Sequence, residues 1–431
     1  MSDEEIQDVI VVGAGLSGLT AAISLQQRGY SVRVLERRPV AGGLCGSTTI
    51  DGYQFTLGSN DFGSAIKRYL QQLGVDLEFE QNQTVFYCGR EKYVLPATSR
   101  TVFDLLRHLP DTTRVGRALR NPDIGNKFDY VGQFLDATVR NKTFRDFLSL
   151  PSYVAGHSPA AHRFDLFRQI YSKNPDYGYH ELCAPADGPQ AITDAMTARF
   201  AELGGRIEFD TDVLDVRQTD DGKLVTTSQG TYRTKHLVSS EARTGNHSVR
   251  SSLEIGVLHI ATRPDVPFPA GVHTVGYLPS GVQNWLGQLD DGVLPDQFGF
   301  HAFPCVTTEE YRSFNAYFYY PRGVEEFDSR TLATVEEYIL KELARLIPGF
   351  GSRVLFRRSV SPAQFKKEHN LRRVSIEDIL PLGVEKPSVH DKETDTYYVG
   401  NTVGPVAYHA CAAMYAALDA ADQLASANPL A

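Results

Sequence analysis

The chain has 431 residues, of which 42% are hydrophobic and 22% are charged, a composition typical of a globular protein with room for two domains or one large composite. Its formal net charge of −9 argues against a nucleic-acid partner or an anionic membrane surface, because both bind clustered Lys and Arg. The sequence has no stretch of about 18 apolar residues, so it predicts no integral membrane segment.

The N-terminus and the cysteines bear on compartment and metal binding. The first five residues are acidic and polar and lack the order of a secretory signal. The five cysteines are scattered without Cys-x-x-Cys spacing, which indicates neither a disulfide framework nor a zinc site. We therefore expect a cytoplasmic protein with reduced thiols and no metal.

Residues 1–36 contain the pattern of a β-α-β unit. Residues 8–12 are a short apolar run typical of a buried parallel strand, and a glycine cluster follows over 13–18. A segment with helical periodicity extends to Arg28 and stops at Gly29. Residues 31–36 alternate as a second strand, so the segment has the length that a β-α-β unit requires.

A hairpin, a helix and a mostly helical region are predicted next. Residues 48–57 predict a β-hairpin that turns at Asp51-Gly52, and residues 61–73 predict a helix that ends at Gly74. From about 100 to 205, helical stretches separated by proline-containing turns dominate. We interpret this region as a mostly helical insertion.

Strands dominate much of the second half. Residues 206–239 and 254–320 predict strand-rich stretches, the latter with an aromatic run at 314–320. A helix over 331–346 and a strand over 353–360 follow. The chain closes with a strand over 396–399 and an Ala-rich helix from about 405 to 424. We expect the two ends of the chain to share one discontinuous domain.

The glycine cluster and the end of the second strand carry the first functional signal. Gly13 permits the tight turn, Gly15 lets the backbone approach a pyrophosphate, and Gly18 lets the helix pack closely on the sheet. The free N–H groups of the helix N-terminus favour phosphates. Glu36 stands where a carboxylate accepts the hydroxyls of an adenosine ribose, which disfavours NADP. This pattern alone leaves FAD and NAD both possible.

The residues that follow resemble one family closely. Gly42-Gly43, then Leu44, and the hairpin that ends in Gly58-Ser59-Asn60 complete a pattern similar to the extended FAD-binding motif of the amine oxidase and phytoene desaturase superfamily. The remaining fixed places of that motif are occupied by Ala22, Leu25, Gly29, Val32 and Val34. The resemblance implies that the paired glycines run beside the pyrophosphate and that residues 58–60 lie against the flavin ring.

Two later segments also resemble the family. Residues 186–190 with the strands up to Val216 are similar to its second FAD segment, in which the residue matching Val213 holds the adenine side. Residues 397–401 before the last helix resemble its closing motif, where helix amides stabilise negative charge on the reduced flavin. The implied FAD-binding set is Gly13, Ala14, Gly15, Leu16, Ser17, Gly18, Glu36, Arg37, Gly42, Gly43, Leu44, Gly58, Ser59, Asn60, Val213, Gly400, Asn401, Val406 and Ala407.

The chain departs from the family in three ways. Residues 379–398 contain no cysteine of the kind to which some amine oxidases attach FAD, so we expect non-covalent FAD, with His390 as the nearest alternative attachment. Residues 402–409 replace the glycine-rich turn of phytoene desaturases. The chain is also short for a phytoene desaturase, which puts a long carotenoid tunnel in doubt.

The candidate catalytic residues are Tyr408 and His409, because the resemblance places this helix N-terminus under the flavin and a His there could take a proton near neutral pH. Packing of both side chains in the core is the competing interpretation. The aromatic run 314–320 either lines a substrate pocket or, as we favour, forms a buried strand. Cys45 is expected to be a small buried side chain.

The expected fold is α/β (α+β overall). A Rossmann-like FAD-binding domain, discontinuous in sequence, comprises residues 1–85, 185–250 and 353–431. An inserted substrate domain, comprising 86–184 and 251–352, combines a helical lid with a mixed or antiparallel sheet.

The expected function is that of an FAD-dependent oxidoreductase, an oxidase or a dehydrogenase/desaturase. It takes a hydride from a C–N or C–C position of a small-to-medium organic substrate and passes electrons to dioxygen or another acceptor. The alternatives are a flavin-dependent isomerase or mutase without net oxidation and a non-catalytic flavin-fold binding protein. The expected state is a monomer or homodimer.

Overall fold

The computed structural model describes residues 6–96, 106–121, 123, 126–170, 182–243, 249–404 and 409–430. Its strands are β1 (Gln7–Val12), β2 (Val32–Leu35), β3 (Ser47–Ile50), β4 (Tyr53–Thr56), β5 (Phe62–Gly63), β6 (Phe79–Gln81), β7 (Gln83–Cys88), β8 (Glu91–Leu95), β9 (Leu182–Pro185), β10 (Arg206–Glu208), β11 (Val213–Thr219), β12 (Gly222–Thr227), β13 (Gly230–Ser239), β14 (Arg250–Ser251), β15 (Ile255–Thr262), β16 (Val272–Leu278), β17 (Phe300–Thr307), β18 (Arg312–Tyr319), β19 (Val354–Val360), β20 (Asp378–Ile379), β21 (His390–Asp391) and β22 (Thr396–Tyr398).

The α-helices are α1 (Leu16–Gln27), α2 (Ala65–Gln72), α3 (Leu109–Arg120), α4 (Val131–Thr138), α5 (Lys142–Leu148), α6 (Leu150–Ala155), α7 (Phe164–Ile170), α8 (Gln190–Glu202), α9 (Val282–Asp290), α10 (Ser329–Leu346), α11 (Pro362–Glu368) and α12 (His409–Ala427). Short 3₁₀ helices occur at Gly43–Cys45 and Gly351–Arg353. Within the described ranges, no helix is both long and apolar enough to cross a membrane.

The first sheet has eight strands, in the order β10-β2-β1-β13-β12-β11, with β22 beside β13 and β21 beside β22. The pairs β10–β2, β2–β1, β1–β13 and β13–β22 are parallel. Parallel neighbours need a crossover, which α1 supplies between β1 and β2. Because α1 packs against α8 and α12, the beginning, middle and end of the chain share one core.

The second sheet has seven strands, in the order β19-β15-β18-β17-β16-β7-β8. All neighbours are antiparallel except β16 and β7. Trp285 and Leu286 of α9 and Ile339 and Leu343 of α10 pack into the core on one face of this sheet. A separate aromatic cluster, which includes Phe134, holds helices α3, α4, α5 and α7 together.

The structure confirms most predicted elements, including the β-α-β unit, the hairpin at Asp51-Gly52 and the buried strand over the aromatic run. The helix predicted from residue 61 begins at Ala65, because Phe62–Gly63 pairs with β9 instead. A strand-rich prediction was wrong for Val282–Asp290, which is α9. Strand β19 lies in the second sheet, although the sequence assigned residues from 353 onward to the FAD-binding domain.

Candidate functional site

One cavity of about 1780 Å³ extends from the glycine turn of the first sheet to a face of the second sheet. Pockets for a single drug-sized ligand usually have about 300–1,000 Å³. The cavity therefore has room for an extended cofactor together with a second molecule.

The turn between β1 and α1 leaves an open cradle. Gly13 has a φ of 95°, and its N–H donates to the carbonyl of Leu35 at 2.8 Å. A Cβ on Gly18 would lie 1.9 Å from the Gly13 carbonyl oxygen, so this glycine is required for packing. A Cβ on Gly15 would meet only the Gly43 Cα, at 3.9 Å, so the free space here is available to a ligand.

The carboxylate of Glu36 is fixed beside this cradle by two backbone hydrogen bonds. Its carboxylate accepts the N–H of Ala14 at 2.6 Å and the N–H of Arg38 at 2.9 Å. The side chain is only 6% exposed and lines the cavity, and each oxygen keeps a further lone pair. An acceptor fixed beside a glycine cradle fits the ribose hydroxyls and pyrophosphate of a dinucleotide.

The structure brings most of the predicted cofactor residues to the cavity wall. These are Gly13, Gly15, Leu16, Ser17, Glu36, Arg37, Gly42, Gly43, Leu44, Gly58, Ser59, Asn60, Val213, Gly400 and Asn401. Ala14 and Gly18 are not among the lining residues; Ala14 bonds to Glu36, and Gly18 packs against the turn.

The remaining predicted residues lie at the start of the last helix. Val406, Ala407 and Tyr408 lie outside the described residues. His409 is the first residue of α12, but its side chain also lies outside the described part of the structure. The two catalytic candidates therefore stay predictions.

The segment predicted to lie against the flavin, residues 58–60, is held by hydrogen bonds to the 3₁₀ turn and by a hydrogen bond of the preceding residue to the second sheet. The N–H groups of Gly58 and Ser59 both donate to the carbonyl of Leu44, at 2.9 and 3.0 Å. The Tyr317 hydroxyl on β18 donates to the Leu57 carbonyl at 2.7 Å. This segment is thus held between the glycine-rich 3₁₀ turn and the second sheet.

The closing segment, residues 400–401, is held by hydrogen bonds of partly buried polar groups. Gly400 has a φ of 122°, a conformation that favours glycine. Lys386 donates to the Asn401 carbonyl at 2.8 Å, and Asn401 donates to the Ile376 carbonyl. Burial lowers the pKa of Lys386, and the Glu377 and Asp378 carboxyls oppose that effect.

Sequence reasoning missed most of the far wall of the cavity, although the pocket interpretation of the run 314–320 included Tyr317. The cavity-facing side of the second sheet contributes Thr84, Phe86, Thr274, His301, Phe303 and Tyr317, and the helices add Phe144, Phe147, Leu148, Leu150 and Val154. These residues come from separated strands and helices. Besides the aromatic run, the alternation of His301 and Phe303 along their strand was a local signal that could have found part of this wall.

Two ionisable groups on the wall, Asp61 and His301, were also missed. Burial raises the pKa of Asp61 to about 6, against a backbone hydrogen bond within the residue. Burial lowers the pKa of His301 to about 4. Among the described residues, Asp61 has no ion-pair partner, and no group of His, Cys, Asp and Glu side chains could hold a metal.

Thiol chemistry is suppressed near the cradle. All five cysteines are free, and Cys45, which lines the cavity, is only 2% exposed. Burial raises the pKa of Cys45 to about 12. Cys45 therefore stays a thiol at neutral pH, as expected for a small buried side chain.

These features are those of a nucleotide-binding α/β protein whose cavity continues to a mostly apolar wall. The comparisons with known proteins show its family. The family model described as flavin containing amine oxidoreductase matches residues 16–242, more than half of the chain. The chain belongs to this family, within the superfamily of FAD amine oxidases and phytoene desaturases, which are flavin-dependent oxidoreductases.

The similar proteins support this placement over different lengths. A neurosporene-forming phytoene desaturase from Rhodobacter capsulatus is 24% identical over 278 residues, 55% of this chain and 52% of that protein. A 4,4'-diapolycopene oxygenase from Methylomonas sp is 48% identical over 58 residues, 14% of this chain and 12% of that protein. The chain thus covers about half or less of the length of these relatives.

A crystal structure of an oxidoreductase from Methanosarcina mazei has the same fold. It aligns with a TM-score of 0.71 at 14% identity, over 96% of this chain and 100% of the other. At this level of identity the likeness establishes the fold alone, and the α/β FAD-binding fold predicted from the sequence is confirmed.

Proposed function

We propose that the protein is an FAD-dependent oxidoreductase that removes a hydride from a C–N or C–C position of a small-to-medium organic substrate. The observation that carries the proposal is the continuity of the cavity. It joins a glycine cradle and an anchored carboxylate at one end to an aromatic, mostly apolar wall at the other. A cofactor and a substrate can therefore meet inside one enclosed space.

In this proposal, the chain's own residues hold FAD along the cradle. The turn at Gly13–Gly18 and the paired Gly42 and Gly43 receive the pyrophosphate, while Glu36 accepts hydrogen bonds from the ribose hydroxyls. Val213 contacts the adenine side, as the family resemblance implies. Residues 58–60 and 400–401 border the flavin ring.

The residues around the reacting position supply orientation and exclude water. FAD held there would supply a hydride acceptor that dioxygen or another acceptor could reoxidise. The aromatic and aliphatic wall holds an apolar substrate face against the flavin-side segment, and such positioning supplies much of the rate. Tyr408 and His409 remain candidate proton-transfer groups, and Asp61 joins them because it lines the cavity and forms no ion pair with any residue that the structure describes.

We propose that the FAD is non-covalent. His390, the alternative attachment, bonds to Asp395 at 2.9 Å, stacks on Tyr397 and is not among the cavity-lining residues. The high pKa of Cys45 suppresses the thiolate that a thioether bond requires. FAD should then be released intact on acid precipitation.

The proposed domain division follows the two sheets. The FAD-binding domain takes residues 1–85 and 185–250 and the C-terminal part, and the substrate domain takes 86–184 and 251–352 with the helices as a lid. Strand β19 pairs with β15 of the second sheet, so we place the last boundary near residue 361 rather than 353.

An absorbance spectrum of the purified protein tests the proposal. Bands near about 450 nm that bleach anaerobically with dithionite, together with FAD in the supernatant after acid precipitation, are the expected result. Rapid recovery in air indicates an oxidase, and slow recovery indicates another acceptor. Turnover that needs reduced flavin but no acceptor would favour the isomerase alternative, and a colourless protein that refuses added FAD would refute the proposal.

A further inference from the structure

His301 occupies the centre of the second sheet's cavity-facing side. It lies on β17, where the strand register places it opposite Gly276 of β16 and opposite Tyr317 of β18. Phe303, two residues along the same strand, lines the same wall. Because side chains alternate along a strand, Phe300 and Ala302 point to the other face and pack in the core.

A buried tyrosine fixes the orientation of this imidazole. The Tyr153 hydroxyl lies 3.0 Å from the His301 Nδ1, and Tyr153 is fully buried. In the described part of the chain this hydroxyl has no other hydrogen-bond partner. A buried O–H without an acceptor is costly, so Tyr153 donates and Nδ1 accepts. The proton of the neutral ring is therefore on Nε2.

The Nε2–H group of His301 faces the cavity. His301 is partly exposed although it lies inside the molecule, and it lines the cavity. Its Nε2 bonds to none of the described residues. Since burial lowers the pKa of His301 to about 4, the ring stays neutral at physiological pH and presents one hydrogen-bond donor.

This donor lies close to the flavin-side segment. The rings of His301 and Tyr317 are 5.7 Å apart in an edge-to-face arrangement. The Tyr317 hydroxyl in turn bonds to the Leu57 carbonyl and lies 3.5 Å from the Asn60 Nδ2. One aromatic ring thus separates His301 from the residues that the family resemblance places against the flavin.

We propose that His301 determines specificity by donating its Nε2–H to a carbonyl, hydroxyl or ether oxygen of an otherwise apolar, uncharged substrate. The inference rests on the proposed function and specifies its substrate class. Apart from Thr84 and Thr274, the wall around His301 is aromatic and aliphatic, and an ammonium group offers no acceptor to an N–H donor. A cationic amine would instead have to pair with Asp61.

Three probes of one skeleton test this assignment with the whole flavin-loaded protein. They are benzylacetone, the amine in which an ammonium group replaces its carbonyl oxygen, and butylbenzene. Calorimetric titration gives their dissociation constants. Because butylbenzene is the more apolar probe, the hydrogen bond is measured by the benzylacetone-to-butylbenzene affinity ratio, compared between proteins with and without the His301 donor. We expect this ratio to be about fivefold higher in the wild type, the factor expected of one neutral hydrogen bond, and the ammonium probe to bind most weakly.

Substitutions then assign the preference to the side chain. His301→Leu should lower the ketone-to-hydrocarbon affinity ratio about fivefold, and His301→Gln, which keeps an N–H donor, should lower it less. His273→Leu is the matched control, because His273 is another neutral imidazole on the same sheet but bonds to Thr274 and does not line the cavity. Melting temperature and flavin absorbance check that each variant is folded and loaded.

The contrary outcomes are distinct. A benzylacetone-to-butylbenzene affinity ratio that is unchanged in His301→Leu would overturn the role of His301. Tightest binding of the ammonium probe, lost in Asp61→Asn, would show a cationic substrate instead. A wild type that holds no flavin refutes the proposed function, whereas the probe titrations can still be run on the flavin-free protein, so the two failures are distinguishable.

Discussion

The two ends of the cavity use different chemistry to recognise a ligand. At the cradle end, the described groups are largely backbone: glycines without side chains, amide N–H groups and a carboxylate that itself bonds to amides. At the far end, side chains from four strands and two helices form the wall, and His301 is a neutral donor within it.

This difference explains why the cradle end of the cavity can be predicted from a short stretch of sequence and the far wall cannot. A backbone cradle needs glycines at fixed spacing, because their spacing along the chain sets their spacing in the turn. A wall of side chains needs only that several strands pair in register, and residues far apart in sequence then meet. The predictions below test each end separately.

Gly18→Ala should have the largest effect. The new Cβ would lie 1.9 Å from the Gly13 carbonyl oxygen, a backbone atom that cannot move without opening the turn. We expect a loss of about 3 kcal/mol or more in unfolding free energy, despite the better helix propensity of Ala, and loss of flavin. Chemical denaturation and flavin absorbance measure both. Wild-type stability would show that the turn is not packed as described.

Gly15→Ala should separate folding from cofactor binding. A Cβ here meets only Gly43, at 3.9 Å, so stability should change by less than about 0.5 kcal/mol. The methyl group would occupy the space proposed for the pyrophosphate, and the dissociation constant of FAD should rise about a hundredfold. Flavin titration into apoprotein tests this. Unchanged affinity would place the pyrophosphate elsewhere.

The sequence predicted the cradle end well because each of its elements is specified locally. The strand, glycine cluster and helix of residues 7–27 are contiguous, and the hairpin turn at Asp51-Gly52 needs no partner from another part of the chain. Conversely, Phe62–Gly63 became a strand because a distant segment, β9, pairs with it. No local pattern encodes that pairing.

The far end escaped prediction for the same physical reason. His301 faces the cavity because β17 lies between β16 and β18, and its tautomer depends on Tyr153, 148 residues earlier in the chain. Helix α9 was missed although Val282, Trp285, Leu286 and Leu289 have helical spacing, because it lies between strongly strand-forming runs. Tertiary context decided both cases.

Gly276→Ala should disturb the far end alone. A Cβ at this position would lie 2.1 Å from the Phe86 ring, which lines the cavity beside His301. Displacing the ring should cost about 1–3 kcal/mol and weaken benzylacetone binding, while flavin content stays unchanged. Gly287→Ala in α9, where a Cβ meets nothing within 4 Å, is the control and should stabilise slightly. Loss of flavin in Gly276→Ala would show that the two ends are coupled.

Asp61→Asn should give the smallest effect, and one that depends on pH. Burial raises the folded-state pKa from 3.8 to about 6, so the folded protein disfavours the ionised carboxyl. With this carboxyl present, the free energy of unfolding is therefore greatest below about pH 4 and falls as the pH rises through about 6. Asn carries no charge, so the variant should be more stable than the wild type at about pH 8, by about 1–2 kcal/mol because the cavity admits water. The advantage should vanish toward about pH 4.

Asp328→Ala provides the opposite trend in the same assay. Asp328 caps α10, and hydrogen bonds from the Thr331 backbone and side chain lower its pKa, so its contribution is present at neutral pH and is lost as the solution becomes acidic. Relative to the wild type, the free energy of unfolding at about pH 8 should therefore be higher in Asp61→Asn and lower in Asp328→Ala, and both differences should shrink in acid. If Asp61→Asn instead loses stability at high pH, the carboxylate has a cationic partner, and the unpaired charge on which the amine alternative depends does not exist.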